Sequence, residues 1–328
     1  MSDFKNTGPA LDRMGFGGAP LGDMFAHSDD DHARETLAAA WDSGIRYFDT
    51  APHYGAGLSE QRFGSFLARK PRSEYILSTK VGRVLEPARE PEATGPFVGG
   101  LYFKRRMDYS YEGAKQSVHD SLQRMGVGHL DIVYIHDLSP DALGDEWTEH
   151  FDTAMSGAAV ALTEMREEGL IRGWGLGVNT VEPCLRALDE ADPDVFLLAT
   201  QYHLLNTAGA DELFPRCLER NVGVVVGAPF GSGLLAGGDH YMYEKADDEI
   251  TRTRDRMAAI CERHGVDLKA AAMQFSAAHP AVSSIIPGAS KPERIPQNRA
   301  LFDAEIPAEL WAEFKREGLL SESAHTPA

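Results

Sequence analysis

A rhythm constrains this chain more than anything else in it. Short runs of β-branched, aliphatic and aromatic residues alternate with longer stretches of helical period. The runs are residues 45–50, 75–80, 130–136, 171–178, 195–202, 222–228 and 283–287, with 14–19 as an eighth ahead of them. They are too apolar to leave one face wet. Parallel strands covered on both faces by helices have this character. Between them, Asp29 or Asp30 can cap a helix that ends near Ser43, with Gly44 just beyond it. Helices are expected over 58–68, 110–125 and about 158–168, and Gly126, Gly169 and Gly265 stand where helices stop. Eight strands alternating with helices predict a parallel α/β fold: a single-domain (β/α)8 TIM barrel over residues 1–328, with an open doubly wound sheet as the competing architecture. Residues 83–109 and 231–248 break the rhythm and read as long loops after the third and seventh strands. Loops following barrel strands build the mouth where barrel enzymes do chemistry.

Charge removes several alternatives. Lys and Arg number 32 against 50 Asp and Glu, a formal charge of −18. Nucleic acids and anionic membrane surfaces both demand a cationic face, so neither is an expected partner. No stretch approaches the ~18 apolar residues of a membrane span. The beginning of the chain lacks the basic-then-apolar pattern of a secretion signal. Cys184, Cys217 and Cys261 are scattered without CxxC spacing, which fits a reducing compartment. The expectation is a cytoplasmic enzyme with a small-molecule substrate, an aldose or another aldehyde or alcohol, with no metal site and the oligomeric state left open.

Four polar residues end or follow three consecutive runs. Asp49 closes the second, with Tyr54 just beyond it in Asp-Thr-Ala-Pro-His-Tyr-Gly; Lys80 closes the third; His136 closes the fourth. Barrel strand ends converge on one mouth, so these four are expected to meet. A free phenol has a pKa near ~10, and a neighbouring ammonium lowers it. A carboxylate holds the ammonium in place, and an imidazole orients a substrate oxygen. Tyr54 then protonates a carbonyl as hydride arrives at carbon, or takes a hydroxyl proton as hydride leaves.

The chain resembles the aldo-keto reductases. The matching segments run in family order across nearly its whole length: Phe48-Asp-Thr-Ala-Pro-His-Tyr-Gly, Ser78-Thr-Lys-Val, Leu130-Asp-Ile-Val-Tyr-Ile-His, Gly175-Leu-Gly-Val-Asn and Ile286-Pro-Gly-Ala-Ser-Lys-Pro-Glu-Arg. By that resemblance Asp49, Tyr54, Lys80 and His136 stand at the catalytic tetrad positions, with Tyr54 the proton donor. Gly15-Phe-Gly-Gly-Ala-Pro-Leu-Gly and Ala51-Pro-His-Tyr-Gly-Ala-Gly-Leu-Ser-Glu are similar to the branch of aldose 1-dehydrogenases, pyridoxal 4-dehydrogenase and plant L-galactose dehydrogenase. The resemblance implies NAD- or NADP-dependent oxidation of an aldose to a lactone. Reduction of aldehydes or ketones, or a pyridoxal-type oxidation, is the alternative, and a cofactor-binding regulatory subunit a remote one.

The resemblance also implies an extended dinucleotide across the barrel mouth. Asn179 and Gln201 match positions that bond the nicotinamide amide. Ser232, Gly233 and Leu234 are expected at the pyrophosphate, and Gly288, Ser290, Lys291, Arg294, Gln297 and Asn298 at the adenosine end, where a helix N-terminus also favours phosphate. Three positions depart from the pattern: Val178 precedes Asn179 where Ser is common, Gly227 replaces a stacking Tyr for which Phe230 can substitute, and Gly288 replaces a Lys. The choice between NAD and NADP stays open. Phe25, His53, Tyr102, Asp137 and His203 are the candidate substrate contacts, with Phe97, Phe103 and Tyr109 as further aromatics able to wall the pocket.

Overall fold

The computed structural model describes residues 11–327. Eight parallel strands form its centre: β1 (Phe16–Gly17), β2 (Tyr47–Asp49), β3 (Ile76–Pro87), β5 (Ile132–His136), β6 (Gly173–Val178), β7 (Val195–Ala199), β8 (Gly223–Gly227) and β11 (Val282–Ile286). They neighbour one another in that order. Parallel bridges from Met14 to Ile285 and from Gly17 to Gly288 join last to first and close the barrel. The doubly wound alternative is thereby excluded. Most observed strands are shorter than their apolar runs; β3 is longer, and β11 has the length of its run, one residue earlier.

Helices α1 (Asp30–Asp42), α2 (Leu58–Leu67), α3 (Tyr111–Met125), α6 (Ala158–Glu167), α7 (Glu182–Glu190), α8 (Leu213–Arg220) and α10 (Leu268–Ala278) surround the barrel, with α4 (Pro140–Leu143) and α5 (Trp147–Ser156) between β5 and α6 in the chain and α9 (Asp248–Arg263), α11 (Arg294–Phe302) and α12 (Ala308–Arg316) towards its C-terminal end. Asp29 caps α1 by accepting from the His32 amide, and Ser110 caps α3 through the Gly113 amide. Gly126 and Gly169 take the left-handed conformation expected past a helix end.

The segment 83–109 is not an irregular loop. β3 runs seven residues past Lys80 and pairs antiparallel with β4 (Phe103–Asp108), from Gly82 opposite Asp108 to Pro87 opposite Phe103. Segment 231–248 is likewise ordered: a 3-10 turn (Gly231–Ala236), then a small hairpin of β9 (His240–Tyr241) and β10 (Glu244–Lys245), then Asp247 capping α9.

Two cores result. The larger lies between barrel and helices; the smaller fills the barrel with Tyr47, Ile76, Ile132, Tyr134, Val195, Leu197, Val225 and Ile286. Strand side chains alternate faces. Asp49 therefore follows Tyr47 on the interior face, Lys80 follows Ile76 and Ser78, and His136 follows Ile132 and Tyr134. The tetrad strand residues are the top layer of the inner core. β6 supplies the room: a Cβ on Gly175 would stand 1.7 Å from the Val195 carbonyl oxygen, and one on Gly177 would press on Tyr134 and the Lys80 stem.

Candidate active site

Lys80 is 1% exposed, so its ammonium needs partners, and it has them. Nζ donates to Asp49 Oδ2 at 2.7 Å and to the Thr50 carbonyl at 2.8 Å. Ser78 donates to the other Asp49 oxygen at 2.6 Å. Burial pushes the Asp49 carboxyl upward, and Lys80 and Ser78 pull it back. Tyr54 sits on the turn after β2, where a Cβ on Gly22 would stand 2.5 Å from the Tyr54 carbonyl carbon. The Lys80 ammonium is 4.8 Å from the Tyr54 ring centre, and the His136 ring stands edge-on to it at 5.8 Å. The structure thus brings all four tetrad candidates together.

Their electrostatics differ from the sequence expectation in one respect. The Tyr54 phenol is held well above its ordinary pKa, first by burial, then by the Asp49 and Asp137 carboxylates. Asp49 neutralises the ammonium that was expected to lower it, so Tyr54 rests protonated. His136 is pushed well below its ordinary value by burial, Lys80 and Arg83, so its imidazole is neutral. A neutral phenol and a neutral imidazole can both hydrogen-bond a carbonyl or hydroxyl oxygen.

A cleft of about 570 Å³ opens from this point. Asp49 and Tyr54 line it together with Gly17, Gly18, Pro20, Phe25, Gly227, Phe230, Ser232, Gly233, Gly288, Ser290, Arg294, Gln297 and Asn298. Its floor is bare backbone: a Cβ on Gly17 would lie 2.9 Å from the Ile286 carbonyl, and one on Gly288 would lie 3.0 Å from Pro20. Ser232 and Gly233 are both left-handed, at φ 58° and 107°. Amides on such a turn can form an anion-binding concavity, but the Gly233 amide already donates to the Phe230 carbonyl at 3.1 Å, which leaves the Ser232 amide for that role. The N-terminus of α11 begins at Arg294 at the far end.

Other candidates fall elsewhere. Leu234, Lys291, Asn179, Gln201 and His203 do not line the cleft. Leu234 is buried in the turn, Asn179 donates to Asp141 at 2.9 Å, and Gln201 reaches only its neighbour Thr200. His203 is fully buried beneath Gly231, beside Tyr241, with its pKa pushed down to about 4 by burial. Tyr102 is 63% exposed on the hairpin connection. Tyr109 is buried, donating to the His136 carbonyl at 2.9 Å, and supports the site from outside. His53 and Asp137 do not line that cleft either but lie against His136, at 5.8 Å between ring centres and 3.5 Å between Nε2 and Oδ1, and Phe97 stacks on Tyr54 at 5.5 Å.

Two residues that the sequence reading missed join them. Arg83 forms an ion pair with Asp137 at 2.6 Å. Tyr243, at the tip of the β9–β10 hairpin, lines the cleft, and burial, with Asp137 and Asp141 nearby, holds its phenol above the ordinary range. Arg83 lies three residues beyond Lys80, a spacing that carries weight only once β3 is known to continue. Nothing in the sequence near Tyr243 gives its placement. Among the described residues no group of His, Cys, Asp and Glu is placed to hold a metal, and no helix is long and apolar enough to cross a membrane.

A closed β/α barrel with a buried Asp–Lys pair, a phenol and an imidazole at its mouth defines an oxidoreductase acting on CH–OH or C=O groups. The family comparison agrees: residues 13–317 match the aldo/keto reductase family, and the chain belongs to it. It is 39% identical to a D-threo-aldose 1-dehydrogenase of a Pseudomonas species and 40% identical to a pyridoxal 4-dehydrogenase of Microbacterium luteolum, in each case over 96% of both chains. An aldo-keto reductase from Bacillus halodurans, solved in its holo form, superposes with a TM-score of 0.70 at 26% identity, covering 96% of this chain and 94% of that one.

Proposed function

We propose that the chain oxidises the anomeric hydroxyl of an aldose to a lactone, using NAD or NADP. The observation that carries this reading is the continuity of tetrad and cleft, since Asp49 and Tyr54 line the same cavity as the glycine floor and the left-handed Ser232–Gly233 turn. That cavity suits an elongated dinucleotide. The Ser232 amide would hold the pyrophosphate; Ser290, Arg294, Gln297 and Asn298 would hold the adenosine end; Gly17, Gly227 and Gly288 leave room for close approach. The similarity to an enzyme named D-threo-aldose 1-dehydrogenase supports the substrate class.

When bound, the nicotinamide would supply the hydride acceptor for oxidation or the donor in reverse. Tyr54 moves the proton. His136 holds the reacting oxygen with a neutral N–H. Lys80, fixed by Asp49 and Thr50, keeps positive charge beside the phenol and stabilises it when the proton is away. Oxidation needs the phenolate, so the oxidative rate rises with pH. The protonated resting state of Tyr54 favours a second reading, reduction of an aldehyde or ketone, and the relative named pyridoxal 4-dehydrogenase keeps pyridoxal among the substrates to test.

Absorbance at the reduced-nicotinamide band decides. NAD and NADP are each mixed with a panel of aldoses, pyridoxal and simple alcohols, and NADH and NADPH with aldehydes. Reduction of one cofactor by an aldose is the expected outcome. Consumption of reduced cofactor by aldehydes alone would move the assignment to a reductase.

A further inference from the structure

We infer that Asp137, Arg83 and His53 form an electrically neutral subsite that reads the hydroxyl next to the reacting carbon and excludes anionic substrates. The inference rests on the aldose reading above and narrows it to uncharged sugars carrying a 2-hydroxyl.

The subsite is built by two backbone irregularities. Successive strand residues point to opposite faces, so Asp137 should face away from His136. It does not, because Asp137 is left-handed at φ 51° while its amide still donates to the Gly177 carbonyl at 2.9 Å. Its Oδ1 consequently lies 3.5 Å from His136 Nε2. On β3, Gly82 sits at φ 104° with Tyr109 packed where a Cβ would go, 2.5 Å away, and this kink precedes Arg83. Left-handed non-glycine residues are uncommon and concentrate at functional sites.

The polar groups are incompletely used. Arg83 Nη1 lies 2.6 Å from Asp137 Oδ2, yet it makes no well-directed hydrogen bond. The two side chains are only 13% and 17% exposed. His53 Nδ1 is buried and has no partner. Burial, Arg83 and His136 push the His53 pKa down to about 2, so the ring is neutral. Arg105 fixes His53 by donating twice to its carbonyl, at 3.1 and 3.0 Å. A carboxylate, a guanidinium and a neutral imidazole converge beside the oxygen-orienting His136, a set that accepts from one hydroxyl and donates to another.

A purely structural ion pair would account for less. The β3–β4 hairpin already has a six-residue ladder, and pinning it to the barrel leaves His53 Nδ1 unexplained. Charge balance sets the selectivity. Asp137 cancels Arg83, and Arg105 is engaged by Glu92 and the His53 carbonyl, so no cation faces an incoming phosphate or carboxylate. An incoming anion would therefore be stripped of water against a pair with no net positive charge to compensate it.

The test compares kcat and KM for D-arabinose, for 2-deoxy-D-ribose (D-arabinose without its 2-hydroxyl) and for D-arabinose 5-phosphate, in the wild type, Asp137→Asn and Arg83→Lys. A site built to bond a hydroxyl penalises its absence heavily, so the wild type should favour D-arabinose over the deoxy sugar at least ~10-fold in kcat/KM. Asp137→Asn should bring that ratio near one and raise relative use of the 5-phosphate, since Arg83 is then uncompensated. Arg83→Lys, which keeps the charge and loses the planar fork, should lower the ratio in part. Equal use of D-arabinose and the deoxy sugar by the wild type overturns the subsite and leaves the dehydrogenase standing, and that arm needs no variant to fold. Equal losses on both sugars in Asp137→Asn, with the ratio unchanged, also overturn it. No oxidation of any aldose overturns both readings.

Discussion

Tyr54 carries two opposed demands. Burial with Asp49 and Asp137 holds its phenol protonated, while Arg83 and Lys80, the latter 4.8 Å from the ring, are the charges available to stabilise the phenolate. Removing the hydroxyl separates its chemical role from any packing role. Tyr54→Phe should lose about 10²-fold or more in kcat, within the range of general acid–base catalysis, while dinucleotide affinity measured by fluorescence titration changes little. Near-normal turnover would end the proposed role. Lys80→Met should lower kcat as well and move the oxidative pH profile to higher pH, because the phenolate then lacks one of its cations. Asp49, Lys80 and His136 were legible in the sequence because each is polar where an apolar run ends. Arg83 and Asp137 were harder. Their convergence depends on left-handed backbone at Asp137 and Gly82, and side-chain type alone does not report that Asp137 adopts it.

At the scale of elements, helix α2 is seated by an absence. A Cβ on Gly64 would lie 2.4 Å from Met125 Cα and 2.5 Å from its carbonyl oxygen, at the end of α3. Helix propensity alone favours Ala over Gly by about 1 kcal/mol. Backbone cannot yield as a flexible side chain does, so Gly64→Ala should instead destabilise by about 1–3 kcal/mol, the usual cost of overpacking. A lower urea midpoint in the variant is the expected result; a higher one would mean that α2 and α3 can separate without penalty. The sequence marked Gly126 and Gly169 correctly, since a helix stop is a local signal. Gly64 is an ordinary mid-helix glycine until α3 is placed against it. The same reasoning explains the hairpin. Residues 103–107 alternate half-buried and exposed, but Lys104, Arg105 and Arg106 mask the period, and the Gly and Pro of β3 read as loop. Pairing with β3 makes it a strand, and pairing is a long-range fact.

For the whole molecule, the rhythm of apolar runs gave the parallel α/β class and eight strands favoured a barrel, but an open doubly wound sheet is covered on both faces too, and only the bridges from Met14 to Ile285 and Gly17 to Gly288 decide between them. What the rhythm hides is the cost of the polar groups taken inside. Burial pushes the imidazoles of His203 and His279 down to about 4, that of His53 down to about 2 and that of His136 well below its ordinary range. In the unfolded chain each titrates near ~6.5. As pH falls through that value the unfolded chain takes up protons that the folded chain refuses, so stability is full above about pH 7 and declines below it. Each fully buried imidazole contributes a slope of up to about 1.4 kcal/mol per pH unit, and the half-buried His53 less. Asp49 and Asp12, raised by burial, act in the opposite sense, but from the ordinary carboxylate range near ~4 upward. Relief of the −18 net charge by surface carboxylate protonation also belongs to that lower range. Four depressed imidazoles against two raised carboxyls make the histidines the larger contribution between pH 7 and 5.5. The unfolding free energy from urea titrations should fall across that interval, and His279→Asn should flatten the decline. A free energy that stays level or rises would mean that these rings are charged in the folded protein, and His136 would then enter the reaction as an imidazolium.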